Sequence, residues 1–243
     1  MRPEPIDAAV LAGGLGTRLQ GVLVDRPKVL APVGGRPFLD WLLEWLTREG
    51  ARRAVLCLGH RADAVRRHLD RKEFPGLEVV LSVEPRPLGT AGAVGFARQW
   101  LETDPVVVLN GDTMTAVDLA AFAAEHRQSG AAVSVACVRV PDPGRYGRVE
   151  IDGEGRVLSF REKAPAASPG WINGGVYMFG RVMLDRLAVL PSGSLELDVL
   201  ARMPTGSIHA FRTEGGFLDI GTPQSLAAAG DFASRWLPGL DPL

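Results

Sequence analysis

Short apolar runs alternate with amphipathic stretches through the first half of the chain. "AAVLAG" (8–13) is followed by "PFLDWLLEWLTREG" (37–50), "RAVLCLG" (53–59), "ADAVRRHL" (62–69), "LEVVLSV" (77–83), "TAGAVGFARQWL" (90–101) and "PVVVLNGD" (105–112). In the first amphipathic stretch Phe38, Leu42, Trp45 and Leu46 share one helical face, with Pro37 near its start and Gly50 closing it. Strand and helix in strict alternation predict a mostly parallel sheet covered by helices on both faces. In such folds ligands bind beyond the carboxyl ends of the strands. After Asp112 the pattern changes. "YGRVEIDGEGRVLSFREK" (146–163) carries two strand-like runs around Gly153, Glu154 and Gly155, which predicts an antiparallel hairpin, and "WINGGVYMFG" and "SIHAFRTEGGFLDIG" add strands. The sheet is therefore expected to be mixed, with the late strands closing over the site. Helices are expected near Val182 to Ala188, Leu195 to Met203 and Pro223 to Trp236.

Composition narrows the class. With 243 residues, 46% hydrophobic and 23% charged, the chain suits one substantial core, so a single domain over 1–243 is expected. A formal net charge of -1 provides no positive field for nucleic acid or an anionic membrane. The basic pairs Arg52-Arg53 and Arg66-Arg67 are read as solvated ends of elements. Cys57 and Cys137 lie in apolar stretches without partners at metal-ligand spacing, which fits a reducing, cytoplasmic setting. No stretch has the pattern of a secretion signal or a membrane span.

The candidate chemistry starts at the end of the first strand, in "LAGGLGTRLQGVLVDRPK" (11–28). Gly14 and Gly16 fit a dinucleotide fingerprint, but Leu19 stands where its third glycine belongs, and the chain has no Gly-Lys pair for an NTPase phosphate loop. The patterns of zinc peptidases and nucleophile-elbow hydrolases are absent as well. What remains is a glycine-rich turn with two cations, Arg18 and Lys28, suited to a triphosphate; an ordinary charged turn reads equally well from the glycines alone. Two acids shift the balance. Asp112 ends "VVVLNGD" and Asp219 ends "GFLDIG", and together they can hold Mg2+ against a phosphate, although either alone is better read as the start of a turn. Glu162 and Lys163 follow a strand run, and Asn173 precedes Gly174 and Gly175; an amide suits sugar hydroxyls and a lysine suits a monophosphate.

In this order the motifs "LAGGLGTRL", "RPK", "LGTAGA", "NGD", "EK", "INGGVY" and "DIGTP" resemble the sugar-1-phosphate nucleotidyltransferases, from Ala8 to about Pro223. The resemblance implies a Rossmann-like α/β fold, with a nucleotide-binding half over about 1–115 and a sugar-binding half over about 116–236. It implies that Leu11, Ala12, Gly13, Gly14, Gly16, Thr17, Arg18, Lys28, Glu84, Gly89 and Thr90 bind the nucleotide. Gly111, Tyr146, Gly147, Glu162, Lys163, Asn173 and Gly174 would bind the sugar phosphate, Asp112 and Asp219 the metal, and Arg18, Lys28 and Asp112 would be catalytic. The implied partners are a nucleoside triphosphate and a sugar 1-phosphate, the cofactor is Mg2+, and assembly into a homo-oligomer stays open.

Relatives using uracil or thymine commonly carry glutamine where this chain has Glu84. A carboxylate can accept both the N1 and N2 donors of guanine, which favours GTP; a Glu84 turned to solvent or paired with Arg86 is the competing reading. For the sugar, "RPFLDWLL", "RYGRVEI", "WINGGVY" and "SLELDVL" look most like the D-glycero-α-D-manno-heptose 1-phosphate guanylyltransferase group, with the mannose-1-phosphate guanylyltransferases as runner-up. A UTP- or dTTP-dependent enzyme and a silent sensor or subunit of the same fold are the remaining alternatives, and retention of Arg18, Lys28, Asp112, Lys163 and Asp219 argues for an enzyme.

Overall fold

The computed structural model describes residues 4–14, 26–59, 61–161 and 168–236. The first apolar run becomes strand β1 (Ile6–Leu11), and the next elements are a short hairpin of β2 (Pro32–Val33) and β3 (Arg36–Pro37), then helix α1 (Phe38–Arg48). The alternation continues as predicted through β4 (Ala51–Leu58), α2 (Ala62–Leu69), β5 (Glu78–Val83), α3 (Gly89–Ala97) and β6 (Val106–Asn110). A three-residue strand β7 (Thr113–Thr115) leads to α4 (Leu119–Ser129) and β8 (Val133–Val140). The expected hairpin is present as β9 (Arg148–Ile151) and β10 (Val157–Arg161), and the long strand β11 (Gly170–Phe179) runs into α5 (Arg181–Ala188). Leu195–Val199 forms one wide π-type turn. The chain then ends in β12 (Ile208–Thr213), β13 (Phe217–Asp219), α6 (Pro223–Ala227) and α7 (Ala229–Trp236).

Nine strands form the main sheet, in the order β10-β9-β11-β6-β1-β4-β5, with β8 pairing β11 and β12 beside this path. β6, β1, β4 and β5 are parallel, whereas β11 runs antiparallel to β6, so the sheet is mixed as the sequence implied. The period of two decides what each face buries. Ala8, Val10, Val107 and Leu109 join α1 and α4 in one core cluster, and Ala9, Val106 and Val108 join α3 and α5 in the other. Helices on both faces explain why the inner strands are almost wholly apolar.

Two elements had no legible period. In α4 the apolar residues are mainly alanines, and the helix is fixed by its ends instead: Asp118 accepts from the Ala121 amide at 2.9 Å, and Gly130 leaves the helix at φ +64°. β8 is buried on both faces from Val133 to Val138, which erases alternation. The stretch 223–236, expected as one helix, is divided at Ala228.

The basic pair Arg52-Arg53 is not solvated in the way the sequence implied. Asp7, fully buried in β1, accepts from the Glu102 amide at 2.6 Å and the Thr103 amide at 3.1 Å, and Arg52 supplies its countercharge at 2.9 Å. Arg53 lies between Glu78 and Glu102, at 2.8 and 2.9 Å. These ion pairs fasten the amino ends of the strands, the opposite edge from the predicted site. Trp41 and Trp45 are core residues. Among the described residues, no helix is long and apolar enough to cross a membrane.

Candidate active site

The carboxyl ends of the parallel strands are tied to one another by backbone. Ala12 donates to the Cys57 carbonyl at 3.0 Å, Gly111 to Leu11 at 2.9 Å and Glu84 to Leu58 at 2.8 Å. Such spacing leaves no room for a side chain where β1 and β6 end: a Cβ on Gly111 would sit 2.7 Å from the Leu11 carbonyl oxygen. The glycine of "NGD" is thus required by the fold, and it delivers Asp112 to the rim.

A cleft of about 420 Å³ opens over these ends, lined by Leu11, Ala12, Gly13 and Gly14, by Lys28, Glu84, Gly89 and Thr90, and by Asn110, Gly111 and Asp112. Ten residues expected to bind the nucleotide, sugar phosphate or metal therefore meet in one place, together with the unexpected Asn110. Gly16, Thr17 and Arg18, also expected there, lie outside the described residues, as do Glu162 and Lys163.

The charged corner of the cleft is built by three distant segments. Lys28 Nζ lies 2.6 Å from Asp112 Oδ2 and 3.8 Å from Asp219 Oδ1. β13 brings Asp219 there by pairing with β7, with Asp219 opposite Thr113, and Ile220 donates to the Asp112 carbonyl at 3.0 Å. The Gly221 amide donates to Asp219 Oδ1 at 2.6 Å, and the Thr113 hydroxyl to Asp112 Oδ1 at 3.2 Å. Two carboxylates that converge on a single cation are a fitting donor set for Mg2+, which takes one or two carboxylates and completes its shell with water and phosphate oxygens. No cluster of three or more His, Cys, Asp or Glu occurs among the described residues.

At the opposite end, half-buried Glu84 accepts from the Leu88 amide at 3.1 Å; among the described residues this amide, not Arg86, is its hydrogen-bond partner. One oxygen also lies 2.5 Å from where a Cβ on Gly59 would stand, so Gly59 makes room for the carboxylate. Cys57 lies beneath, its thiol pushed up to about 12 by burial and, less, by the Glu84 charge. It is a protonated, inert wall.

Gly89 and Thr90 do more than line the cleft. Gly89 has φ +70°, and a Cβ there would run into the Gly193 carbonyl. The Gly193 amide donates to Leu88 at 2.9 Å, and the Leu195 amide to the Thr90 hydroxyl at 2.7 Å. These bonds dock the 193–199 segment and carry Glu196 to the wall of the cleft.

Glu196 also lines a second cavity, of about 480 Å³, with Tyr146, Gly147, Phe160, Arg161 and Asn173. Three residues expected to bind the sugar phosphate, Tyr146, Gly147 and Asn173, are thus grouped apart from the nucleotide set, with Glu196 between. The Asn173 amide donates to the Tyr177 hydroxyl at 2.8 Å, and that hydroxyl donates to Glu196 at 3.4 Å. Burial and then the Glu196 charge raise the Tyr177 phenol well above its ordinary value, so it stays a donor. Tyr146 packs edge-on against Phe217 at 5.0 Å, in the strand that bears Asp219. Gly174 is set back in the sheet: its carbonyl accepts from Thr115 at 2.6 Å, and a Cβ there would stand 2.9 Å from the Ala136 oxygen.

Neither Asn110 nor Glu196 was singled out from sequence. Asn110 has a signal, since it precedes Gly111 at the same strand end. Glu196 has none of its own, because its place depends on the docking of Gly193 onto Leu88.

Comparison with known proteins gives the family. A family model described as Nucleotidyl transferase matches residues 7–235. The chain is 31% identical over 219 residues to a D-glycero-α-D-manno-heptose 1-phosphate guanylyltransferase of Campylobacter jejuni, covering 90% of this chain and 96% of that one. It is 33% identical over 227 residues to a mannose-1-phosphate guanylyltransferase of Mycobacterium tuberculosis, covering 92% of this chain and 63% of the relative. The crystal structure of HddC from Yersinia pseudotuberculosis superposes with a TM-score of 0.84 at 34% identity, covering 93% of this chain and 98% of that one, and HddC has also been solved in complex with GMP-PN. With a family match across nearly its whole length and the glycine-lined cleft and paired acids in place, the chain belongs to the nucleotidyl transferase family, among relatives that are guanylyltransferases.

Proposed function

We propose that this protein transfers a guanylyl group from GTP to D-glycero-α-D-manno-heptose 1-phosphate, releasing pyrophosphate, and does so in the cytoplasm. The observation that carries the chemistry is the convergence of Lys28, Asp112 and Asp219 at the rim of a cleft lined by glycines. Glu84 supports the choice of guanine, since its carboxylate has acceptor capacity beyond the Leu88 amide. The solved complex of HddC with GMP-PN supports it too. For the sugar, the two cavities meeting at Glu196 accommodate a nucleotide and a polyhydroxylated acceptor side by side. Relatives from Campylobacter jejuni and Aneurinibacillus thermoaerophilus, each covered over 96% of its length, bear the heptose name, and they favour it over mannose 1-phosphate.

In the reaction, a phosphate oxygen of the sugar 1-phosphate attacks the α-phosphorus, and the bond to the β-phosphate bridging oxygen breaks. The electron pair leaves with pyrophosphate. Asp112 and Asp219 would hold Mg2+, which supplies charge neutralisation to the phosphate oxygens when bound. Lys28 binds the phosphates as a point charge. Tyr146, Asn173 and Glu196 fix the acceptor, so that positioning lowers the barrier alongside charge. No residue forms a covalent bond to substrate.

The mechanism is tested by Asp112→Asn and Asp219→Asn, each assayed for pyrophosphate release. Loss of one transition-state electrostatic contact of this kind costs about 3 to 4 kcal/mol, so turnover is expected to fall by roughly 100- to 1000-fold with the fold intact. Near-normal turnover in either variant would remove that acid from the mechanism.

A further inference from the structure

Lys28 lies against both of the acids that would hold a metal. Its ammonium lies 2.6 Å from Asp112 Oδ2 and 3.8 Å from Asp219 Oδ1, and its side chain is only 11% exposed, against 39% and 30% for the two acids. The remaining oxygen of Asp112 accepts from the Thr113 hydroxyl, and Asp219 Oδ1 also accepts from the Gly221 amide. The pair is thus neutralised in part by a cation belonging to the protein. A divalent ion joined to both acids would be placed against that ammonium at a range where like charges repel. One cation has to yield. Lys28 can, because its charge sits on a four-carbon stem with rotatable bonds, and because it lines the same cleft as Gly13 and Gly14. Phosphate oxygens entering that cleft offer the ammonium a second set of anionic partners.

We propose that Lys28 is an exchangeable countercation: it closes the Asp112–Asp219 pair to divalent metal in the nucleotide-free protein, and moves to the triphosphate when nucleotide enters. The metal then joins the site with the nucleotide rather than ahead of it. Lys28 has two successive partners, the acids and then the phosphates. This rests on the reading of Asp112 and Asp219 as metal ligands given above.

The test is binding of Mn2+ alone, without nucleotide, followed by the electron paramagnetic resonance signal of the free ion. Wild-type protein is compared with Lys28→Met, which keeps the length and loses the charge, and with Lys28→Arg, which keeps the charge; Lys28→Gln repeats the measurement should methionine disturb the fold. The uncharged variants are expected to bind Mn2+ at least about tenfold more tightly than wild type, a factor worth about 1.4 kcal/mol, while the arginine variant stays weak. Mn2+ affinity in Lys28→Met and Lys28→Gln that equals or falls below that of wild type would overturn the proposal. The double variant Lys28→Met with Asp112→Asn separates the two levels. Loss of the gain there places the ion on the acids. A gain that persists places it elsewhere, and it is then the reading of the acids as metal ligands that fails.

Discussion

Replacing Glu84 by glutamine changes one atom in a residue whose surroundings are well defined, and it bears on the choice of base. The carboxylate is held by the Leu88 amide at 3.1 Å and backed by Gly59, so the side chain of the variant should keep its place. The Leu88 donor must still meet an oxygen, which puts the new NH2 group in the place of the second carboxylate oxygen, the acceptor proposed for guanine. Toward guanine this NH2 meets N1-H and N2-H2, donor against donor. A hydrogen bond to a charged partner is worth about 1.5 to 3 kcal/mol, and a buried donor left unpaired costs about 1 to 3 kcal/mol. At 1.4 kcal/mol per tenfold, kcat/KM for GTP should fall by roughly 10- to 150-fold. UTP and dTTP, which present carbonyl acceptors, should lose nothing or gain. The assay is competition between GTP and UTP at a fixed sugar 1-phosphate, with both products separated and the ratio of kcat/KM taken. A Glu84→Gln enzyme that retains the full GTP preference of the wild type refutes the assignment of Glu84 to the base.

Further outcomes follow from the packing around the cleft. Gly111→Ala would press a methyl group against the Leu11 carbonyl and the Ala12 backbone, at 2.7 and 3.2 Å, and overpacking of that kind costs about 1 to 3 kcal/mol. For a chain of this size a calorimetric Tm lower by roughly 2 to 12 °C is expected, and an unchanged Tm would contradict the close approach of β1 and β6. Cys57 and Cys137 are 3% and 0% exposed, and burial pushes both thiols up to about 12. An aromatic disulfide reagent at pH 8 should therefore find no thiol in the native protein and both in denaturant; rapid labelling of Cys57 in native protein would show that the cleft floor opens.

The parts of this protein legible in sequence are those with a local cause. The strands β1, β4, β5 and β6 and the helices α1 to α3 announce themselves by apolar runs and stripes. The hairpin β9–β10 was marked by Gly153 to Gly155. α4 was hidden because most of its apolar positions are alanines, with only Leu119 and Phe122 as large buried apolar side chains, and β8 because both of its faces are buried. Asp112 and Asp219 stand out in sequence by their position at the ends of strand runs, but nothing in either segment tells that Lys28 would touch both. Contact between segments so far apart depends on the pairing of β13 with β7, a tertiary event without local pattern. Glu196 was missed for the same reason. Arg52 was misread because Asp7, its partner, looks in sequence like one more polar residue at the start of a strand, whereas it is a fully buried charge that demands a countercharge.

Guanylyl transfer is tested most directly by a matrix of GTP, ATP, UTP and dTTP against heptose 1-phosphate, mannose 1-phosphate and glucose 1-phosphate, each with Mg2+, read as pyrophosphate released. The greatest release is predicted for GTP with D-glycero-α-D-manno-heptose 1-phosphate, with mannose 1-phosphate next and none with EDTA in place of Mg2+. Release that is greatest with UTP or dTTP, or release from no pair at all, would contradict the account.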